Sequence, residues 1–187
     1  SEFHGAPLDI YGINRGGLGV TRFLARAGAR VLVTDMKSAD ALTSSLQKLR
    51  KFKNITYVLG EHREQDFIDT DLVIQNPSVP RDSKFLALAR EHSVPIMTDV
   101  GLFLDLCPSK NIIAITGTKG KTTTTALIAA MCRAARKPTI VAGNIGVSVF
   151  DALADVTPKT TVILELSSWQ LEGITTKLFA PAVAILT

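Results

Sequence analysis

Short runs of consecutive apolar residues alternate along the chain with longer stretches whose apolar positions recur every three to four residues. Leu8–Ile13 is the first run and predicts a strand. Leu18, Phe23, Leu24 and Ala27 follow at helical spacing within Gly17–Ala27, and Gly28 closes that stretch. Ala29–Asp35, with Val31, Leu32 and Val33 in a row, reads as a strand buried on both faces. Ser38–Phe52 predicts an amphipathic helix, with Ser38 as a cap and Leu42, Leu46 and Leu49 on one side. Ile55–Leu59 and Asp71–Gln75 predict strands, Asp82–His92 a helix and Val94–Thr98 a strand. Cys107-Pro108-Ser109-Lys110 interrupts the rhythm and marks the expected domain boundary, giving domains 5–107 and 108–187. A second series then runs through strand Asn111–Thr116, loop Gly117–Lys121, helix Thr122–Arg136, strand Pro138–Ala142, a helix near Ser148–Ala154, strand Thr161–Leu166 and a last apolar run, Ala182–Leu186. Strands and helices alternating as the dominant pattern predict mostly parallel sheets covered by helices. A sequence that stops on such a run is expected to be a truncated piece. Ser1-Glu2-Phe3 looks like an expression remnant and carries no fold information.

Composition narrows the class. The 187 residues are 46% hydrophobic and 20% charged, enough apolar material for a real core and too little charge for disorder. There is no uninterrupted apolar stretch of the roughly 18 residues a membrane span needs, so no membrane insertion is expected. Two cysteines, Cys107 and Cys132, are too few for a disulfide framework and lack metal-ligand spacing, which favours a cytoplasmic location. A net charge of +4 suits anionic small molecules and is too diffuse to argue for nucleic acid.

The strongest chemical signal is Thr116-Gly117-Thr118-Lys119-Gly120-Lys121-Thr122, between the apolar strand Ile112–Ile115 and a helical stretch. Gly117 and Gly120 allow the backbone to turn its N–H groups toward phosphate oxygens, and the helix start adds its unpaired N–H groups and dipole. Lys121 supplies a point charge for the β/γ-phosphates and the Thr122 hydroxyl suits Mg²⁺. The general pattern would place glycine where Ile115 stands. The bland alternative is a strand–helix turn with a surface lysine. Glu165 ends the apolar strand Thr161–Leu164; beside a phosphate loop it is placed to hold Mg²⁺, and otherwise it is a solvated acid or a partner of Lys121.

The first domain has its own glycine turn, Gly12-Ile13-Asn14-Arg15-Gly16-Gly17, and Asp35 ends the next strand about 20 residues on, as a ribose-binding acid does. Asn14 stands where a dinucleotide pyrophosphate needs close backbone approach, and no hydride-transfer constellation follows. A nucleotide or diphosphate site of another kind fits better, with Arg15 and Lys37 meeting anionic groups. Asp35 as a plain strand-end cap is the packing alternative. The expected fold is therefore α/β: a Rossmann-like parallel-sheet N-terminal domain, then a truncated P-loop-type α/β central domain.

The loop form T-G-T-x-G-K-T, lacking the first glycine of the usual phosphate loop, resembles that of the Mur ligase family, ATP-dependent amide ligases of peptidoglycan assembly. Gly143-Asn144-Ile145-Gly146 after the next strand is similar to that family too. Leu164-Glu165-Leu166-Ser167-Ser168-Trp169-Gln170-Leu171-Glu172 and Asp99-Val100-Gly101-Leu102-Phe103 resemble the branch that adds D-glutamate to UDP-N-acetylmuramoyl-L-alanine, with Trp169 where that branch usually has phenylalanine. The resemblance implies a three-domain enzyme that uses ATP and Mg²⁺ to make an acyl phosphate, of which this sequence carries the first domain and the opening part of the second. It implies that Gly117, Thr118, Lys119, Gly120, Lys121, Thr122 and Thr123 bind ATP, with Lys121 catalytic at the transferred phosphate. It implies that Thr122 and Glu165 hold the metal. Asn144, Ser167 and Gln170 would contact the muramoyl-alanine part, and Asn14, Arg15, Gly16, Asp35 and Lys37 would border the uridine diphosphate. The family's later histidine and aspartates, its modified lysine and its third domain are absent, so these 187 residues alone are expected to be inactive.

Other readings stay open at this level: a different amide ligase of the same superfamily, a non-catalytic nucleotide-binding module, or a dehydrogenase. Several residues carry no chemistry on this reading. His62 and His92 are expected at the surface, Cys107 and Cys132 as apolar fillers, and Met97, Met131 and the apolar stripe of 122–136, with Leu127, in the core. Lys48, Arg50, Lys51 and Lys53 form a solvated helix end.

Overall fold

The computed structural model describes residues 7–11, 15–77, 79–80, 82–174 and 180–187. The chain divides into two compact units, Ser1–Asp99 and Val100–Thr187. No helix among the described residues is long and apolar enough to cross a membrane.

The first unit is built as β1 (Pro7–Tyr11), α1 (Arg15–Arg26), β2 (Arg30–Asp35), α2 (Ala39–Leu49), β3 (Ile55–Leu59), β4 (Leu72–Gln75), α3 (Lys84–Glu91) and β5 (Ile96–Thr98). The strands form one parallel five-stranded sheet in the order β3-β2-β1-β4-β5. The parallel sheet follows from the sequence: continuous apolar runs such as Val31–Val33 suit a strand covered on both faces, which helices on both sides of a sheet provide. The chain reverses its direction of travel at β1, so the carboxyl ends of β1 and β4 flank the switch point where such sheets bind ligands. The end of the expected first strand and the first half of the glycine turn, residues 12–14, lie outside the described residues.

A satellite core forms where a 3₁₀ turn over Glu64–Phe67 packs under α3. Phe67, Val73, Leu86 and Ala89 are fully buried there, with Val94 nearly so. His62 is not a plain surface residue. Its Nδ1 lies 2.6 Å from Thr34 Oγ1, and its ring meets Phe67 and Phe85 edge-on at centroid distances of 6.1 and 5.1 Å. The polar stretch around it hides this, because Phe85 and Thr34 come from elsewhere in the chain. His92 is exposed, as expected.

The second unit begins within α4 (Asp99–Leu106), after its first residue, and continues with β6 (Ile112–Thr116), α5 (Lys121–Ala134), β7 (Thr139–Gly143), α6 (Val149–Ala152), β8 (Thr161–Glu165), α7 (Ser168–Glu172) and β9 (Val183–Leu186). Its four strands are parallel in the order β7-β8-β6-β9. Helix α5 starts at the carboxyl end of β6 and leads to the parallel β7, so it runs back antiparallel to the strands. Its inner face carries Thr125, Ile128, Ala129 and Cys132; Ala129 packs with Ile115 of β6 and Ile163 of β8.

Leu127 and Met131, expected in the core, are instead 60% and 63% exposed. Each sits two residues beyond an inner position, about 200° round the helix, so the apolar stripe of α5 is wider than the face that the sheet covers. Ser109 is fully buried and ties β6 to the loop before β8, its Oγ donating to the Thr160 carbonyl at 2.6 Å.

Register sets the level of every group at the carboxyl end of this sheet. Glu165 lies opposite Ile115 on one side and Gly143 on the other. Gly143 has φ 104°, and a Cβ there would run into the Glu165 carbonyl. Only glycine meets both conditions.

Gly143→Ala combines a left-handed backbone with a backbone collision and is expected to cost about 3 kcal/mol, read as a shift in the denaturant midpoint. Burial lowers the His62 pKa from its ordinary 6.5, partly countered by the Asp35 carboxylate. The folded imidazole therefore takes up its proton less readily than that of the unfolded chain. Its contribution is complete above about pH 6.5 and is lost as pH falls through the folded value. The stability difference between the native protein and His62→Gln should accordingly be larger at pH 7.5 than at pH 5; an unchanged difference would contradict this.

Candidate functional site

The loop after β6 carries the densest chemistry. Gly117 has φ 140°, and a Cβ on it would strike the backbone of Thr187, which follows β9; the Thr118 N–H donates to the Thr187 carbonyl at 3.2 Å. The loop is thus drawn close to the neighbouring strand, at a spacing that only a residue without a side chain permits. Gly120, at φ 83°, is the N-cap of α5. The first helical hydrogen bond runs from the Thr124 N–H to the Gly120 carbonyl at 2.9 Å. The N–H groups of Lys121, Thr122 and Thr123 therefore have no carbonyl ahead of them within the helix. No acidic residue occupies the first turn of α5. An anion at this helix start would meet unopposed N–H dipoles.

The Lys121 side chain folds back over the loop. Its Nζ donates to the Gly117 carbonyl at 2.7 Å and to the Thr118 carbonyl at 3.5 Å. It does not pair with Glu165, so that alternative reading of the acid falls away among the described residues. Thr118, Lys119, Gly120, Thr122 and Thr123 are exposed.

Glu165 is 2% exposed at the end of β8, beside the β6 strand that feeds the loop. Parallel pairing places the loop and the carboxylate at the same end of the sheet. Asn144 holds one side of the acid: its Nδ2 donates to Glu165 Oε1 at 3.3 Å and its N–H to the Glu165 carbonyl at 2.8 Å. Glu165 Oε2 is buried with no hydrogen-bond partner. A buried carboxylate oxygen left unsatisfied is costly, and a cation is one group that relieves that cost. Among the described residues no cluster of three or more His, Cys, Asp or Glu side chains forms a separate metal centre.

Ser167 and Gln170 are joined to each other. The Ser167 N–H donates to Gln170 Oε1 at 3.0 Å, and the Gln170 N–H donates to Ser167 Oγ at 3.3 Å. This reciprocal capping box starts α7 at the carboxyl end of β8. The S-x-x-Q spacing is the signal in the sequence that announces this helix. Trp169 projects from α7 and is 65% exposed. Thr125, which no motif in the sequence singles out, is 2% exposed with a partnerless Oγ1.

In the first unit, Asp35 ends β2 and its Oδ1 accepts from the Lys37 N–H at 2.9 Å; Lys37 is exposed. This is the capping arrangement that the plainer reading expects, at the carboxyl end of the sheet. Arg15 and Gly16 open α1 at the same end; Asn14 lies outside the described residues.

Comparison with known proteins bears on the whole chain. Residues 8–98 match the family model "Mur ligase MurD-like, N-terminal domain", and residues 115–187 match "Mur ligase middle domain". A UDP-N-acetylmuramoylalanine–D-glutamate ligase of Roseiflexus sp. (strain RS-1) is 44% identical over 176 residues, 94% of this chain and 37% of that protein. The ligase of the same name from Treponema pallidum is 42% identical over 164 residues, 87% of this chain and 31% of that protein. The chain thus spans well under half the length of these relatives. Among solved structures, UDP-N-acetylmuramate-alanine ligase from Thermotoga maritima superposes with a TM-score of 0.56 at 28% identity, over 97% of this chain and 41% of that one. UDP-N-acetylmuramate:L-alanyl-gamma-D-glutamyl-meso-diaminopimelate ligase from Neisseria meningitides shares the fold, with a TM-score of 0.58 at 17% identity, over 98% of this chain and 61% of that one. With two family models in succession, the same kind of fold in solved relatives and a loop of the family's own form, the chain belongs to the Mur ligase family.

Proposed function

We propose that these residues are the substrate-nucleotide and ATP-binding part of a cytoplasmic ligase that joins D-glutamate to UDP-N-acetylmuramoyl-L-alanine in peptidoglycan precursor synthesis. The observation that carries the reading is the common location of Lys121 and Glu165 at the carboxyl ends of two adjacent parallel strands. The names of the relatives at 44% and 42% identity support the choice of substrates.

In the reaction, a carboxylate oxygen of the alanine attacks the γ-phosphorus of ATP. The bond to the β–γ bridging oxygen breaks, ADP leaves and an acyl phosphate forms. The amine of D-glutamate attacks the acyl carbon and gives up a proton, and inorganic phosphate departs with the bonding pair. The first step brings two anions together, so neutralising charge is the main task of the protein. Lys121 does this by leaving the Gly117 and Thr118 carbonyls for the transferred phosphate, while the N–H groups at the start of α5 and the loop from Gly117 to Gly120 hold the remaining phosphate oxygens. Thr122 and Glu165 would hold Mg²⁺, which supplies further positive charge to the triphosphate when bound. The orphaned Oε2 of Glu165 and the exposed hydroxyl of Thr122 fit an oxygen-liganded cation.

Asn144 orients Glu165 and faces the same sheet end, where it and the Ser167–Gln170 turn border the muramoyl-alanine arm. Arg15, Gly16, Asp35 and Lys37, with Asn14, border the uridine diphosphate in the first unit; Asp35 is the ribose-binding acid and Lys37 the cation beside it.

The full-length protein that carries these residues is the material for the test. Lys121→Ala should lower D-glutamate-dependent phosphate release from ATP and UDP-N-acetylmuramoyl-L-alanine by about 10²–10³-fold, by analogy with the loss of one preorganised charge-stabilising donor. Normal turnover in that variant would remove the loop from the chemistry. Release that depends on a different amino acid would assign the protein to another ligase of the family.

A further inference from the structure

Two side-chain oxygens in the second unit are buried and partnerless, Glu165 Oε2 and Thr125 Oγ1. They lie on elements that pack together, and the packing fixes their relative level. Ala129 of α5 touches Ile163 of β8 in the core. Two residues on along β8, on the same face, is Glu165, about 6.6 Å nearer the carboxyl end. One turn back along the antiparallel α5, on the same stripe, is Thr125, about 6 Å nearer the same end. Ile115, which stands level with Glu165, belongs to the same cluster, so Glu165 faces the α5 side of the sheet. A threonine inside a helix ordinarily disposes of its hydroxyl by bonding a carbonyl one turn back; Thr21 in α1 does so, donating to the Gly17 carbonyl at 2.6 Å. Thr125 does not.

We propose that Thr125 is a positioning residue for the metal-holding carboxylate: its hydroxyl donates to Glu165 Oε2 through one bridging water and fixes the carboxylate for the cation. The inference rests on the metal role of Glu165 proposed above. Asn144 then holds one carboxylate oxygen and Thr125 the other, as the supporting partners of a metal ligand do.

Mn²⁺ serves as the probe, titrated alone into the protein and followed by the electron paramagnetic resonance signal of the free ion, with the thermal midpoint measured alongside. Thr125→Val keeps the shape and removes the hydroxyl; Thr125→Ser keeps the hydroxyl. Thr125→Val should weaken Mn²⁺ binding about tenfold without lowering the melting midpoint, and Thr125→Ser should bind within about threefold of the native protein. Native affinity in Thr125→Val together with lost affinity in Glu165→Gln would overturn the inference and leave the metal role of Glu165 standing. Unchanged affinity in Glu165→Gln would overturn both. A weaker affinity matched by a lowered melting midpoint in Thr125→Val, and not in Thr125→Ser, would make Thr125 a packing residue only.

Discussion

A slip of β8 by one residue against its neighbours would turn Glu165 to the other face of the sheet and leave its carboxylate nowhere near the loop after β6. The row Ile115–Glu165–Gly143 prevents that. Gly143 permits the close approach of the β7 end to the Glu165 carbonyl, and Asn144, the next residue, returns one hydrogen bond to that carbonyl and one to the carboxylate. The backbone and the side chain of one acid are thus fixed from the same neighbouring strand. Everything proposed for the second unit, from the lysine-bearing loop to the hydroxyl behind the acid, assumes that this level is held.

The two units solve the same problem with different means. Each is a parallel sheet, and in each a helix starts at the carboxyl end of a central strand. In the first, an acid at the end of the adjacent strand caps its own turn through the Lys37 N–H. In the second, the corresponding acid is buried and only half satisfied. A half-buried, internally bonded aspartate suits hydrogen bonding to a sugar hydroxyl; a buried, under-bonded glutamate suits a hard cation.

Most strands and the longer helices are legible in the sequence because continuous apolar runs and helical spacing are local signals, and the loop from Gly117 to Thr122 is legible because glycine, lysine and threonine have separate physical reasons to stand where they do. Other features are not. Helix α4, Asp99–Leu106, is apolar on almost every side, so no periodicity separates it from a strand or loop. Helix α7 has only the S-x-x-Q spacing of Ser167 and Gln170 to announce it, and at five residues it is too short to show helical periodicity. The surroundings of His62, Phe67 apart, and the outer face of α5 depend on what distant parts of the chain bring against them, and a window of neighbouring residues lacks that information. The hydroxyl of Thr125 belongs with these: its isolation is visible only once Ala129, Ile163 and Glu165 are placed together.

Trp169 is the only tryptophan in the chain, and it stands with its indole largely in water on the short helix that the Ser167–Gln170 box begins. Its ultraviolet emission is therefore that of a hydrated indole from a single, known address, with no second fluorophore of its kind to dilute it. Whatever comes to rest against the carboxyl end of β8, whether a ligand or another part of a longer polypeptide, would shift that light toward the blue or quench it, and the protein reports on this corner of its surface without any label.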